Sequence, residues 1–361
     1  MRIKVGGETR DILTLWREGS RVKMIDQRLL PHRFEIMTLN DHRETAHAIK
    51  DMTTRGAGAV GCAAGYAMAQ AAQEAASLPA DKFSAYMAEA AETVRRTRPT
   101  AVNLFHAVER CMDASVGGSV AARVKKVVKE ADKIAADDLG SSKLIGEHGA
   151  RLIGDGYRVL THCNAGALAF IDQGTALSPI RVARKLGRRV FVWVDETRPR
   201  SQGARLTAWE LEMEEIPYAL IVDNAAGYYM RRGEVDMVIV GADRVAVNGD
   251  VANKVGTYEK AVVAKENRVP FYVAAPGMTF DRTTPTGDDI EIEERSPEEV
   301  NRVWGLDADG EYRWVQVPLE GTPARNPGFD VTPAHYITGF ITEKGVIGPP
   351  YEVNIPKTFK A

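Results

Sequence analysis

Between Asp155 and Pro276 the chain carries five short apolar runs, YRVLTHC, RRVFVWVDE, PYALIVD, VDMVIVGAD and VPFYVAAP. Helical stretches such as ARLTAWELEMEE and KVGTYEKAVVAKE separate them. Val/Ile-rich runs without polar alternation are buried on both faces, and strands separated by helices pair in parallel. This pattern predicts a doubly wound, Rossmann-like α/β domain. In such a sheet the carboxyl ends of the strands share one edge, where ligands bind. The polar residues fall there in succession: Cys163 ends the first run, ETRPRSQ (Glu196 to Gln202) follows the second, Asp223 and Asn224 end the third and Asp243 the fourth. No GxGxxG follows the first strand and no GxxxxGK[ST] occurs, so neither a dinucleotide fingerprint nor a P-loop is present.

At 361 residues the chain exceeds one ordinary core, and two domains are expected. Residues 1 to about 35 read as short strands and turns, and the pattern from Asp41 to about Gly154 is helical. The expected division is a mainly helical domain with a short β appendage over 1–130 and the Rossmann-like catalytic domain over 131–361. The charged, Pro- and Gly-rich segment from Thr279 to about Asn326 reads as a surface excursion, after which HYITGFITEKGVI returns as a strand or packs on the helical domain. Lys+Arg 47 against Asp+Glu 49 gives a formal net charge of -2, so no global field draws nucleic acid or an anionic membrane. Three well-separated cysteines, Cys62, Cys111 and Cys163, fit neither a disulfide framework nor a CxxC zinc site and point to a reducing cytoplasm. No stretch approaches the roughly 18 apolar residues of a membrane span.

Cys163 meets a small-residue turn at a strand end, where unpaired N–H groups favour a thiolate or a phosphate. On its own it fits a packed small hydrophobe equally well. Its neighbour His162 points to the opposite strand face, so the two should not form a catalytic dyad, and His162 is expected to be a buried, hydrogen-bonded scaffold residue. Cys62 and Cys111, at helical spacing among apolar residues, read as packing. Asp243 is either a partly desolvated acid or base, or a turn cap paired with Arg244. Asn248-Gly249-Asp250 is a turn signal, and Asn253 with Lys254 is expected at the start of the next helix. TTRGAGAVG sets Arg55 before small residues that let backbone N–H groups approach an oxyanion. RRTRPTAVN offers Arg98 as a phosphate clamp ahead of a proline-initiated helix, with Arg95 and Arg96 on a solvated face.

Taken together, KMIDQRLLP, TTRGAGAVG, RPTAVNL, THCNAGALA, ETRPRSQGARLTAWEL, DNAAGYYM, GADRVAVNGDVANKVGTY, IEERSPEEV and NPGFDVTP resemble the methylthioribose-1-phosphate isomerase family. That family shares a superfamily with the regulatory subunits of the initiation factor two exchange factor. The resemblance implies a helical domain joined to a Rossmann-like domain, a homodimer, no metal and no cofactor. Its implied activity is aldose-ketose isomerisation of S-methyl-5-thio-ribose 1-phosphate in methionine salvage. By motif, the catalytic pair falls on Cys163 and Asp243, and substrate binding falls on Arg55, Gly56, Ala57, Arg98, Gln202, Asn253 and Lys254.

Two departures stand out. Gly58 replaces the proline of RGAPAIG, which implies a more flexible loop. AFIDQGTALSPI replaces the GYGTALGVI pattern, and a polar lining from Asp172 and Gln173 would favour a 5-substituent other than methylthio. Isomerisation of 5-deoxyribose 1-phosphate or ribose 1,5-bisphosphate is therefore an alternative. A nonenzymatic subunit that senses a nucleotide or sugar phosphate is another, although a sensor has no need of the Cys163 and Asp243 pair.

Overall fold

The computed structural model describes residues 1–99 and 101–359, which form two compact units. The first comprises Met1–Glu147 with Ala165–Arg181, and the second His148–Asn164 with Val182–Ala361. Residue 130, the expected domain boundary, lies within a continuous helix (Val120–Ala150).

In the first unit a hairpin of β1 (Arg2–Val5) and β2 (Glu8–Asp11) turns through Gly6 and Gly7, both at positive φ. Strands β3 (Leu15–Glu18), β4 (Arg21–Ile25) and β5 (Ile36–Leu39) form a small antiparallel sheet. Five helices follow: α1 (His42–Lys50), α2 (Ala57–Glu74), α3 (Ala80–Arg95), α4 (Val102–Ala114) and α5 (Val120–Ala150). A helix apolar all round must be enclosed, and α2 is buried continuously from Gly58 to Ala72. Its alanines and glycines let neighbours approach closely: a Cβ on Gly61 would lie 3.2 Å from Asn103 of α4, and one on Gly65 3.3 Å from Ile134 of α5. Cys62 and Cys111 are packed into this core, as their spacing implies. The helix after Arg98 does not begin at proline: Pro99 precedes the helix-flanking Ala101, and Thr100 lies outside the described residues.

Gly58 corrects the expectation of a flexible loop. It is buried in the first turn of α2, where a Cβ would lie 2.3 Å from both Asp138 Oδ1 and the Phe170 ring. In this chain the Asp138 and Phe170 side chains fill the space that a side chain at position 58 would take. Asp138, on α5, accepts the Ile171 N–H at 2.8 Å, and burial pushes its carboxyl up to about 7.

The second unit is built on a seven-stranded sheet. Its strands are β6 (Tyr157–Thr161), β7 (Val190–Asp195), β8 (Tyr218–Ile221), β9 (Met237–Val240), β12 (Phe271–Ala274), β16 (Gly339–Thr342) and β17 (Gly345–Ile347). The order across the sheet is β17-β16-β12-β9-β6-β7-β8, parallel except for β17. The five apolar runs are β6, β7, β8, β9 and β12, and HYITGFITEKGVI supplies β16 and β17. From β6 the chain steps outward to β7 and β8, then returns to lay β9 on the other side of β6. That reversal makes a topological switch point between β6 and β9. A second, three-stranded sheet joins β10 (Arg244–Val245), β11 (Val251–Lys254) and β15 (Phe329–Thr332), with the Asn248-Gly249 turn closing the β10–β11 hairpin. The excursion after Thr279 carries an exposed hairpin, β13 (Arg302–Leu306) with β14 (Tyr312–Gln316). No helix among the described residues is long and apolar enough to cross a membrane.

Asp138 gives the first unit a pH signature. Its carboxyl titrates near 7 when folded against an ordinary 3.8, so the folded chain holds the extra proton between those values and stability falls as pH rises through them. Asp138→Asn keeps an acceptor for Ile171 and removes a slope of up to about 1.4 kcal/mol per pH unit. Melting temperatures recorded across that window should therefore fall less steeply in the variant, and parallel curves would refute the assignment.

Candidate active site

Cys163 lies just beyond β6, with φ 64. A left-handed backbone at a non-glycine residue costs about 1 to 3 kcal/mol and has to be held by its surroundings. Two threonines do so. The Cys163 N–H donates to Thr197 Oγ1 at 2.8 Å, and Thr207 Oγ1 donates to the Cys163 carbonyl at 2.6 Å. Asn164 Nδ2 donates to Thr207 Oγ1 at 3.1 Å and to the buried Glu210 carboxylate at 2.8 Å. Thr197 is itself fixed, its N–H donating to Asp223 at 2.7 Å and its hydroxyl to the Asp195 carbonyl at 3.0 Å.

Thr207 reaches Cys163 from a turn of π-helix (Gly203–Thr207) that opens into α7 (Ala208–Met213). Such a turn inserts an extra residue and re-aims its side chains. It starts at Gly203, whose Cβ would lie 1.6 Å from the Asp195 carbonyl oxygen, so only glycine lets the chain pass there. Just before it, Gln202 presents a buried Oε1 with no hydrogen-bond donor.

Asp243 follows β9 after Gly241 and Ala242, on the other side of the switch point from Cys163. Its N–H donates to the Ala252 carbonyl at 3.0 Å, which ties it to β11. Arg244 pairs with Asp281 at 3.6 Å.

Asn253 and Lys254 correct the expectation of a helix start. They form the buried end of β11, paired with Asp330 and Phe329 of β15, and the helix that follows (Thr257–Glu266) begins only after Gly256. The Asn248-Gly249 turn sends the chain back as a strand, and Gly256 at φ 99 then breaks it. Asn253 Nδ2 donates to Thr257 Oγ1 at 2.9 Å, and Lys254 Nζ donates to the Gly328 carbonyl at 2.7 Å. Burial pulls the Lys254 ammonium below the ordinary lysine range. Cys163, Asp243 and Glu299 oppose that pull, and Arg295 adds to it.

His162 is buried and hydrogen-bonded as expected, with Nδ1 at 2.9 Å from Asp195 Oδ2 and Nε2 at 2.8 Å from the Val255 carbonyl. Both ring nitrogens are engaged away from Cys163, which removes a Cys-His dyad. Among the described residues, His162, Asp195 and Asp223 have ligand atoms within 4.8 Å of one another. That set does not fit a metal ion: the His162 nitrogens are taken, Asp223 accepts the Thr197 and Arg198 N–H groups, and the Lys260 ammonium lies 3.6 Å from Asp195.

Comparison with known proteins places this geometry. Residues 53–349 match the model of the Initiation factor 2 subunit family. The methylthioribose-1-phosphate isomerase of Acetivibrio thermocellus is 48% identical over 339 residues, covering 93% of this chain and 96% of the relative. That of Thermotoga maritima is 49% identical over 342 residues, covering 94% and 96%. The chain belongs to the methylthioribose-1-phosphate isomerase branch of the Initiation factor 2 subunit family. Among solved structures, 5-methylthioribose 1-phosphate isomerase from Pyrococcus horikoshii OT3 superposes with TM-score 0.88 at 42% identity, covering 97% of this chain and 96% of that one. A chain titled translation initiation factor eIF-2B, subunit delta, from A. fulgidus superposes with TM-score 0.83 at 43% identity, covering 97% and 100%.

The second unit thus carries Cys163, Gln202, Asp243, Asn253 and Lys254, all beyond strand ends or on β11. The first unit carries Arg55, Gly56, Ala57 and Arg98. Arg55 is buried, its Nε donating to Gln27 Oε1 at 3.2 Å, and Gln27 Nε2 donates in turn to the Leu168 carbonyl at 2.7 Å. Gly56, at φ 95, opens α2, and a Cβ there would lie 2.5 Å from the Ala169 backbone. Arg98 is half-buried beyond α3. Asp172 is tied into the first unit: burial pulls its carboxyl up, but pairing with the Met1 ammonium and the Gln173 N–H holds it below the ordinary range. Thr197, Thr207 and Glu210 escaped the sequence reading, because nothing in their spacing shows that they converge on Cys163.

The cysteines should separate chemically. Burial pushes Cys62 far up and Cys111 up to about 12, whereas Cys163 is partly exposed. Iodoacetamide on the native protein should label Cys163 alone, and the other two only after denaturation. Peptide mapping that finds Cys62 or Cys111 labelled first would contradict this geometry.

Proposed function

We propose that the protein isomerises S-methyl-5-thio-ribose 1-phosphate to S-methyl-5-thio-ribulose 1-phosphate in methionine salvage, as a cytoplasmic homodimer without metal or cofactor. The observation that carries the reading is a cysteine and an aspartate leaving adjacent parallel strands at the switch point, in a chain 48% identical to a methylthioribose-1-phosphate isomerase.

The 1-phosphate blocks opening to a free aldehyde, so the ring must be broken with acid assistance. Asp243 donates a proton to the ring oxygen as its bond to C1 breaks, and then takes the proton of the C2 hydroxyl as the ketone forms. Cys163 removes the proton at C2, giving a cis-enediolate-like intermediate, and returns a proton at C1. Hydrogen is conserved overall, with aldose and ketose at the same composition. Exclusion of water strengthens both transfers. Lys254 supplies positive charge beside both groups. The orphaned Gln202 Oε1 suits a sugar hydroxyl, because an unsatisfied buried acceptor costs about 1 to 3 kcal/mol. Asn253 contributes a further amide. Arg55, Gly56, Ala57 and Arg98 come to phosphate binding through the family resemblance.

The A. fulgidus match, titled as an initiation factor subunit, supports a second reading as a nonenzymatic sugar-phosphate sensor. Turnover assays on methylthio-, deoxy- and phospho-ribose 1-phosphates in parallel decide the matter: methylthio turnover supports the isomerase, deoxy or phospho preference shifts the 5-substituent, and binding without turnover supports the sensor. Cys163→Ser and Asp243→Asn should each lower kcat by about 10² to 10⁴. A Cys163→Ser protein with near-normal turnover would remove the thiol from the mechanism. Turnover in deuterated water should place solvent deuterium at C1 of the product, and its absence at low conversion would favour a direct hydride shift over the enediolate.

A further inference from the structure

Beneath the strand ends lies a buried polar cluster that the reaction above does not use. His162, Asp195 and Lys260 are each about 1% exposed or less. His162 stands between Thr161, the last residue of β6, and Cys163. Its imidazole spans to two other elements, reaching the Asp195 carboxylate at the end of β7 and the Val255 carbonyl directly after Lys254. A carbonyl only accepts, so Nε2 carries a proton, and the ring orientation is thereby set. Gly256 packs against the same ring: a Cβ there would lie 3.1 Å from His162 Cε1 and Nε2. Asp330 completes the turn by accepting the Gly256 N–H at 2.6 Å and the Tyr258 N–H at 3.2 Å.

Asp195 connects the ring to the Cys163 clamp by a second route, because its own carbonyl accepts the Thr197 hydroxyl that receives the Cys163 N–H. The Lys260 ammonium has no hydrogen-bond acceptor and lies 3.6 Å from Asp195 Oδ2, where it opposes the cost of burying that carboxylate. A core that needed only to be filled would hold none of these groups. One imidazole instead reaches both turns that present chemistry, the one bearing Cys163 and the one bearing Lys254.

We propose that His162 is a positioning residue, oriented by Asp195, which fixes the Cys163 turn and the Lys254–Gly256 turn relative to each other. The proposal rests on the assignment of Cys163 and Lys254 to the isomerase site, and its test has one arm that does not need turnover. His162→Gln keeps an amide donor for the Val255 carbonyl, whereas His162→Phe fills the space and donates nothing.

On methylthioribose 1-phosphate, His162→Phe should lose about a hundredfold in kcat with KM within about threefold, as expected for catalytic groups displaced by roughly an ångström. His162→Gln should recover most of that loss. In the second arm, iodoacetamide should label Cys163 about tenfold faster in folded His162→Phe than in the unsubstituted protein, because the clamped turn is released, with His162→Gln close to the unsubstituted rate. Circular dichroism and melting curves establish that each variant is folded. Equal kcat and equal labelling in His162→Phe would overturn the proposal, as would failure of His162→Gln to recover either. If the unsubstituted protein turns over none of the sugar phosphates, the isomerase reading falls, and the labelling rates still decide whether His162 holds the turn.

Discussion

Parallel pairing of β6 with β7 on one side and β9 on the other is the constraint from which the candidate site follows. It aligns their carboxyl ends, and the reversal of strand order between β6 and β9 sends the following segments apart. The chain leaving β6 at Cys163 and the chain leaving β9 toward Asp243 therefore part at the position where open α/β sheets form their ligand crevices. Residues far apart in sequence become neighbours of one edge without any contact between them having to be encoded locally.

The chemistry there depends on satisfying polar groups that such an edge buries. The loops after β6 and β7 meet through Thr197 and Thr207, while β11 is drawn in by the Asp243 N–H. In the same unit Glu299 shows how strongly the fold holds its charges: burial resists its ionisation, yet Arg295 and Arg200 hold its carboxyl down to about 2. Gln202 Oε1, Asp195 Oδ1 and Lys260 Nζ are nonetheless buried without a hydrogen-bond partner, and of these residues Asp195 and Lys260 form an ion pair with each other.

Legibility in the sequence followed the range of the interactions. The central strands could be read because burial on both faces leaves uninterrupted apolar runs, and Cys163, His162 and Asp243 could be placed because they end those runs. The strand that holds Asn253 and Lys254 is not legible locally, because β11 is stabilised by a distant partner, β15, which no local pattern announces. Gly58 suggested flexibility because glycine is permissive in isolation, whereas here Asp138 and Phe170 leave no room for a side chain. The threonine clamp was invisible for the same reason: a hydroxyl's partner across the fold leaves no periodicity.

The left-handed backbone at Cys163 has a consequence for how such a chain changes over time. Glycine takes that conformation freely, so selection for heat resistance alone would favour Gly at position 163 despite the loss of the sulfur. Under the proposed mechanism, stability and turnover therefore pull this position in opposite directions, and Cys163→Gly exchanges the thiol for a relaxed turn.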